Sequence, residues 1–385
     1  MPYLDHAATT PLREEVLEAM LPHLAAPGNP SSLHGAGRRA RVAVERARAQ
    51  VAAVLGAEPG EVVFTSGGTE ADNLALRGVL TGPARRHTGR GGLVTSAVEH
   101  HAVLHTARAL ADHGHEVAVL PPDADGRLAP DAVRGALTDR TGLVSAMWVN
   151  NETGAVNDVA ALAGAAHGRG ARFHTDAVQA AGLLALDVDA AGADLLSLSA
   201  HKVGGPQGVG ALYVRSGTPF GPVQTGGAQE RGRRGGTENV AGAVGFAAAL
   251  ALAEAERAET AARLAALRDD LRQRLAAAFG DRLVVNTPAE AAPHVVNVSF
   301  RPGPGGPLDG EMLLAALDLE GVAASAGSAC ASGALEPSHV LLALGRDRAT
   351  AGATVRLSLG RTSTPADVVD ACGALARVVS RLDGP

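Results

Sequence analysis

The sequence predicts an α/β protein built on a mainly parallel seven-stranded sheet flanked by helices, with a smaller α+β domain towards the C-terminal end. Three observations carry this. Between Glu61 and Arg215, short apolar runs alternate with helical patterns, the signature of strands joined by crossover helices. A proline-free stretch rich in Ala, Leu, Arg and Glu then runs from Asn239 to about Phe279 and reads as a long helical stretch that joins the large domain to a smaller one. Beyond it, short strands and helices return. The expected division is therefore a large domain over residues 1–250 and a small one over 251–385, with segment 1–20 packing back on the small domain.

Two helical patterns, around Pro11–Leu24 and Arg38–Leu55, open the chain. Seven strands are then expected, at Glu61–Thr65, Gly92–Thr95, Glu116–Leu120, Leu143–Asn150, Arg172–Thr175, Asp194–Ser197 and Gly208–Arg215. The helical patterns between them are Thr69–Leu80, His101–Asp112, Pro130–Leu137 and Asp158–Gly168. From Leu283 onward the pattern reads strand, helix, strand, helix, strand, helix, with loop signals at Pro293 and Pro307 around a strand at Val295–Phe300. In such sheets the site lies beyond the C-terminal ends of the parallel strands.

Composition narrows the function. The net charge is −6 with charges dispersed, which argues against a nucleic-acid-coating protein, and 2% aromatic content removes stacking platforms for single strands. No apolar run approaches the ~18–20 residues of a membrane span. The N-terminal MPYLDHAATTPL has neither the basic nor the apolar region of a signal peptide, so a cytoplasmic protein is expected. Two cysteines, Cys330 and Cys372, cannot build a disulfide framework or a four-cysteine zinc site. His100, His101 and His105 lack acidic or thiol partners at ligand spacing, so no metal is expected.

One residue stands out by count. The chain has no isoleucine, and of its 34 basic residues 33 are arginine; the single lysine is Lys202. A chain that drifts to arginine wherever charge suffices keeps lysine where guanidinium cannot serve. A surface ion-pair lysine could have drifted. An amine that attacks a carbonyl carbon could not, because guanidinium nitrogens stay protonated. Lys202 follows the apolar strand before Ser199-Ala-His-Lys202 and precedes a Gly-Pro turn, so it projects from a strand end. The carbonyl cofactor this suggests is pyridoxal phosphate, held as a lysine Schiff base.

That cofactor wants an acidic partner for its ring nitrogen and a cradle for its phosphate. Asp176, just after the Arg172–Thr175 strand, supplies the first, and is equally placed to cap a helix; the two roles are compatible. Gln179 lies one helical turn on, able to donate to the ring hydroxyl. Thr65-Ser-Gly-Gly-Thr-Glu70 runs strand, glycines, helix start, aiming free N–H groups at an anion or forming an ordinary capped helix. Gly35-Ala-Gly-Arg-Arg-Ala40 fits a loose dinucleotide fingerprint, but a loop rather than a strand precedes it.

Cys330 sits among small residues in Ala324-Ser-Ala-Gly-Ser-Ala-Cys330-Ala-Ser-Gly-Ala334, which suits an exposed nucleophile or sulfur carrier better than a core thiol. Cys372 lies among Val368, Val369 and Leu375 and reads as core. Arg356, inside an apolar strand, requires an anionic partner, either a substrate carboxylate or a structural salt bridge.

Further motifs are Tyr3-Leu-Asp-His-Ala-Ala-Thr-Thr-Pro11, Glu99-His-His-Ala102, Val149-Asn-Asn-Glu-Thr-Gly154, and Gly327-Ser-Ala-Cys330 followed by Leu335-Glu-Pro-Ser338. With the segments above, they make the chain, from Tyr3 to about Asp367, resemble the class V, fold-type I pyridoxal-phosphate enzymes, and within these the cysteine desulfurases of the NifS/IscS type. The resemblance implies these roles. Lys202 holds the cofactor and shuttles a proton. His100 stacks on the ring and assists proton transfer, while Asp176, Gln179 and Asn151 contact the ring or substrate. Gly68, Thr69, Ser199 and His201 bind the phosphate, and Thr237 reaches the phosphate of a neighbouring subunit in a homodimer. Arg356 and Asn29 hold the carboxylate of L-cysteine. Cys330 takes the sulfur as a persulfide and hands it to an acceptor protein, either an iron–sulfur scaffold or a tRNA-thiolation enzyme. The alternatives are a selenocysteine lyase, another class V aminotransferase, or a non-catalytic sulfur carrier that kept the fold. The mobile thiol argues against simple amino transfer, and the retained lysine against a non-catalytic subunit.

Overall fold

The computed structural model describes residues 2–303, 305–327 and 336–383. Seven strands form one sheet: β1 (Val62–Thr65), β2 (Gly92–Ser96), β3 (Val117–Leu120), β4 (Thr141–Ser145), β5 (Arg172–Asp176), β6 (Leu195–Ser199) and β7 (Gly210–Val214). Their order is β1-β7-β6-β5-β4-β2-β3. The run β6-β5-β4-β2-β3 is parallel throughout, and β7 is antiparallel to both β6 and β1. β7 follows β6 through a tight loop, too short for the crossover helix a parallel strand needs.

Both faces are covered because the strands are apolar at odd and even positions alike. Leu93, Leu143, Leu195 and Leu212 face the helices Gly68–Leu80 and His101–Asp112. Their neighbours Val94, Val144, Leu196 and Tyr213 face the other way, against Gly35–Leu55, Val159–His167 and Val240–Ala255. The expected strand Leu143–Asn150 ends at Ser145, and the chain from Ala146 to Asn150 leaves the sheet as a loop.

The long helical stretch is two helices, Val240–Ala255 and Arg257–Phe279, which meet at Glu256. The Glu256 carboxylate accepts from Arg13 Nη1 at 2.9 Å, tying this joint to the N-terminal segment.

A second sheet contains β8 (Leu283–Val285), β9 (Val295–Phe300) and β10 (Thr354–Ser358), antiparallel in the order β10-β9-β8. The helix expected between its first two strands is absent: β8 runs to β9 through a loop containing Pro288 and Pro293, which deny a helix its donors. Three short helices, Gly310–Leu319, His339–Ala343 and Arg348–Gly352, separate β9 from β10. This sheet has its own core, filled by Leu271 and Leu275, Val296 and Phe300, and Val368, Leu375 and Val378 of the Pro365–Leu382 helix. Cys372 is buried in it. Leu4 belongs to this core too, and Tyr3 and Asp5 bridge to Ala323 and Ser358. The following helix, Glu14–Leu24, instead buries Val16 in the core of the large sheet. Among the described residues no helix is long and apolar enough to cross a membrane.

Candidate active site

The parallel strands and β1 present their C-terminal ends to one edge, and a cleft there gathers most of the predicted site. Gly68, Thr69, His100, Asn151, Asp176, Gln179, Ser199, His201, Lys202 and Arg356 all line it.

The anion cradle follows β1. Gly67 adopts φ 153°, and the Gly68–Leu80 helix starts with no side chain capping its first turn. Its first N–H groups therefore point outward unsatisfied, with the positive end of the helix dipole behind them. Gly67 is required by its φ, and close approach explains the next glycine: a Cβ on Gly68 would lie 2.9 Å from Val178 Cγ2. Ser199 and His201 sit beside Gly67 and Thr69 at the cradle's rim. His201 Nδ1 lies 3.1 Å from Thr9 Oγ1, and burial together with nearby Lys202 pushes its pKa down to about 4. Its imidazole is thus a neutral hydrogen-bonding group at physiological pH.

Asp176 ends β5 and is 7% exposed. Its Oδ1 accepts the Val178 N–H at 2.9 Å, so it caps the following turn as well as facing the cleft. Burial pushes its pKa up to about 6, against the opposing pull of the Val178 N–H and Lys202. Lys202, just past β6, donates from Nζ to the carbonyls of Ala7 at 2.5 Å and Ala8 at 2.7 Å. Gln179 Nε2 donates to the same Ala7 carbonyl at 2.9 Å, and its Oε1 faces His294 Nε2 at 3.1 Å. His100 precedes the His101–Asp112 helix and caps it, Nδ1 accepting from Ala102 N–H at 3.1 Å. That bond leaves the proton on Nε2, and burial with Lys202 nearby depresses the pKa to about 4.

Arg356 takes the structural one of the two options the sequence left open. It is 2% exposed on β10; Nη2 donates to Asp5 Oδ1 at 2.8 Å, and Nη1 to the carbonyls of Asn151 and Gly327 at 2.9 and 3.0 Å. It is a structural ion pair, yet it lines the cleft and its Nε–H has no partner.

Two predicted residues lie elsewhere. Asn29 is exposed in the loop before the Gly35–Leu55 helix, where its Oδ1 accepts from Ser31 N–H. Thr237 is exposed and lines none of this chain's cleft. Cys330 lies outside the described residues; the described flanks, Gly327 and Ser338, both approach Glu152, whose carboxylate accepts from the Ser338 hydroxyl. Sequence reasoning missed Asp5, Asp72 and His294. No local pattern marks them, because each acquires its meaning from a partner far along the chain: 351 residues separate Asp5 from Arg356.

The arrangement fits pyridoxal phosphate on its own donors. There is an uncapped helix start for a phosphate, one amine for the aldehyde carbon, and a buried carboxyl for the ring nitrogen. In the same cleft, Asp72 Oδ1 is buried with no hydrogen-bond partner, 3.7 Å from His174 Nε2.

Comparisons with known proteins agree. The family model for class-V aminotransferases matches residues 2–370. A protein named cysteine desulfurase IscS from Dictyoglomus turgidum is 44% identical over 99% of this chain and 95% of its own length. An IscS-like cysteine desulfurase from Mycobacterium tuberculosis is 44% identical over 99% and 97%. Among solved structures, a NifS-like protein superposes with a TM-score of 0.89 at 34% identity, covering 99% of both chains. SspA in complex with cysteine gives 0.80 at 34% identity, covering 93% of this chain and 99% of that one.

Proposed function

The chain belongs to the class-V aminotransferase family and is a pyridoxal-phosphate-dependent cysteine desulfurase, and from that premise we propose how its residues divide the conversion of L-cysteine to L-alanine. The observation that carries this reading is the chain's one lysine, Lys202, at the end of β6 in a cleft shared with the buried Asp176 carboxyl.

When bound, the cofactor supplies an electron sink conjugated to the substrate's Cα. Lys202, whose amine lies on the Ala7 and Ala8 carbonyls, would bear the cofactor and would move the Cα proton. The uncapped turn at Gly68, with Thr69, Ser199 and His201, holds the phosphate. Asp176 holds a proton at the ring nitrogen, and Gln179 orients the ring hydroxyl. Neutral His100, in the cleft wall, would pack on the cofactor ring and assist proton movement through Nε2. Arg356, already fixed by Asp5, offers its remaining N–H groups to the substrate carboxylate, with Asn151 alongside and Asn29 closing from its loop. The Cys330 thiolate attacks the substrate sulfur. The new S–S bond makes a persulfide on Cys330, the Cβ–S electrons pass to Cβ, and protonation there yields alanine.

Thr237 completes the phosphate site of a second copy, which makes the working enzyme a homodimer. The persulfide sulfur goes to an acceptor protein in the cytoplasm. The IscS name of the relatives favours iron–sulfur cluster assembly as its destination over tRNA thiolation.

The test is direct. The purified protein with pyridoxal phosphate should be yellow, and borohydride should fix the cofactor on Lys202. With L-cysteine and a thiol reductant it should release alanine and sulfide in equal amounts, and Cys330→Ser should abolish both. Label on another residue, or full sulfide release by the serine variant, would overturn the reading. Sedimentation at the mass of a single chain would overturn the role of Thr237.

A further inference from the structure

Glu70 stands where the phosphate cradle meets the loop that carries Thr237. It is the third residue of the Gly68–Leu80 helix, and it lines the cradle with Ser66, Gly67 and Thr69. Its Oε2 accepts the Ser66 N–H at 2.7 Å. That bond closes the turn through Gly67 without occupying the first N–H groups of the helix itself, which stay open to an anion. Both oxygens of Glu70 also accept from Arg234: Nε donates to Oε1 at 2.8 Å, and Nη2 to Oε2 at 3.2 Å. Two such bonds make a fork, in which a planar guanidinium fixes a carboxylate in direction as well as distance. The two side chains are 18% and 21% exposed, so the pair is screened less than an ordinary surface ion pair.

Arg234 belongs to the loop Arg234-Gly-Gly-Thr-Glu-Asn239. It lines neither the cleft nor the cradle, so it reaches the phosphate site only through Glu70. The next residue, Gly235, is held twice by Gln224: its N–H donates to the Gln224 carbonyl at 3.0 Å, and its carbonyl accepts from Gln224 Nε2 at 2.8 Å. The Gly236 N–H donates to Gln229 Oε1 at 3.1 Å, and φ 109° at Gly236 turns the chain, a conformation suited to glycine. Beyond Thr237, the Asn239 side chain caps the Val240–Ala255 helix, accepting from Gly242 N–H at 2.9 Å. Thr237 is thus exposed on a short segment fixed at both ends, and one of those ends is tied to the cradle of its own chain.

We propose that Arg234 is a positioning residue for the cofactor phosphate bound by a second copy of the chain. Through its fork on Glu70 it fastens the Thr237 loop to its own cradle, and so sets where the Thr237 hydroxyl is presented to the other copy. One carboxylate then shapes two phosphate sites: its own, through Ser66, and that of the second copy, through Arg234 and Thr237. The proposal rests on the reading of Thr237 as a donor to that phosphate.

The experiment is a double-mutant cycle on the cofactor-free dimer, titrated with two probes, pyridoxal phosphate and pyridoxal, which lacks the phosphate. Thr237→Ala loses a hydrogen bond to a charged group and should weaken pyridoxal phosphate binding about tenfold or more. Arg234→Ala should weaken it at least as much. In the Arg234→Ala background, and equally in Glu70→Ala, the change Thr237→Ala should cost less than about threefold, because the hydroxyl is already out of place. Pyridoxal should bind every variant within about threefold of wild type. Arg234→Lys keeps the cation without the fork. It should show the same loss of coupling to Thr237 in smaller measure, and it carries the test if Arg234→Ala folds poorly. Sedimentation should find every variant dimeric.

The proposal is overturned if Thr237→Ala keeps its whole cost in the Arg234→Ala or Glu70→Ala background, if pyridoxal is weakened as much as pyridoxal phosphate, or if Arg234→Ala sediments as a single chain. Wild-type affinity in Thr237→Ala alone would instead overturn the reading of Thr237 beneath it.

Discussion

The Lys202 ammonium donates to the carbonyl oxygen of Ala7 at 2.5 Å. Ala7 belongs to a segment anchored on the small sheet: Leu4 is in that core, and the Ala7 N–H donates to Ser358 Oγ at 2.9 Å. The Lys202 amine, which projects from the large sheet, is therefore held against a strap anchored on the small one.

Lys202→Arg separates charge from chemistry at this contact. Arginine can donate to the same carbonyls, so the unfolding temperature should change little. Borohydride should fix no cofactor, and alanine formation should fall by about 10²–10⁴-fold or more with the loss of a positioned acid–base group. Substantial residual turnover would refute the role of the amine.

Arg356→Lys keeps a cation but loses the planar fork that spans Asp5, Asn151 and Gly327. The half-saturating L-cysteine concentration should rise about tenfold or more, as expected for a lost charge-assisted bond. An unchanged KM in steady-state assays would leave Arg356 a purely structural ion pair.

Glu230 and Arg48 form a pair with both side chains at most 3% exposed, and Glu230 also accepts the Phe64 N–H at 3.1 Å. This bond fastens the loop of Glu230 and Arg231, both with positive φ, to the strand before the cradle. Glu230→Ala leaves the buried Arg48 with only the half-exposed Glu45 carboxylate at 3.2 Å and the Val62 carbonyl at 2.8 Å, and should destabilise the fold by about 3 kcal/mol. Urea unfolding measures it; a loss below 1 kcal/mol would mean that the pair is solvated in solution.

His294 is 3% exposed, and burial, reinforced by Arg356, lowers its pKa from 6.5 to about 3. The unfolded chain takes up a proton there that the folded chain refuses, so this group's contribution to stability falls as pH drops from 6.5 towards 3. The slope is about 1.4 kcal/mol per pH unit. His294→Asn lacks it, so wild type should lose about 2 kcal/mol relative to the variant between pH 6.5 and about pH 5. Parallel stability curves for the two proteins would show that His294 titrates normally.

Cys372 is buried in the small-sheet core, where burial pushes its thiol up to about 11. Iodoacetamide at neutral pH should therefore label one cysteine of the native protein, Cys330, and none in Cys330→Ser. Peptide mass mapping that found Cys372 alkylated in folded protein would contradict this.

The large sheet was legible because its signals are local. Apolar runs such as those ending at Thr65, Asp176 and Ser199 mark strands wherever both faces are buried, and the residue after a strand end reaches the cleft without further information. The joint at Glu256 was not legible, because nothing in an Ala/Leu/Arg/Glu helical pattern marks where a neighbour such as Arg13 will draw a carboxylate out of line. The expected helix between β8 and β9 failed for a local reason, the prolines at 288 and 293.

By itself the sequence singled out candidate positions: one lysine among 33 arginines drew attention to Lys202, and the glycines after β1 to a tight turn before a helix start. Only the tertiary structure decided which charges share a site. Asp5 meets Arg356, and Lys202 meets the Ala7 carbonyl, because the sheet order and the N-terminal strap bring together residues that no short-range pattern links. Electrostatic roles depend on distance and burial, and both are set by packing rather than by neighbours along the chain.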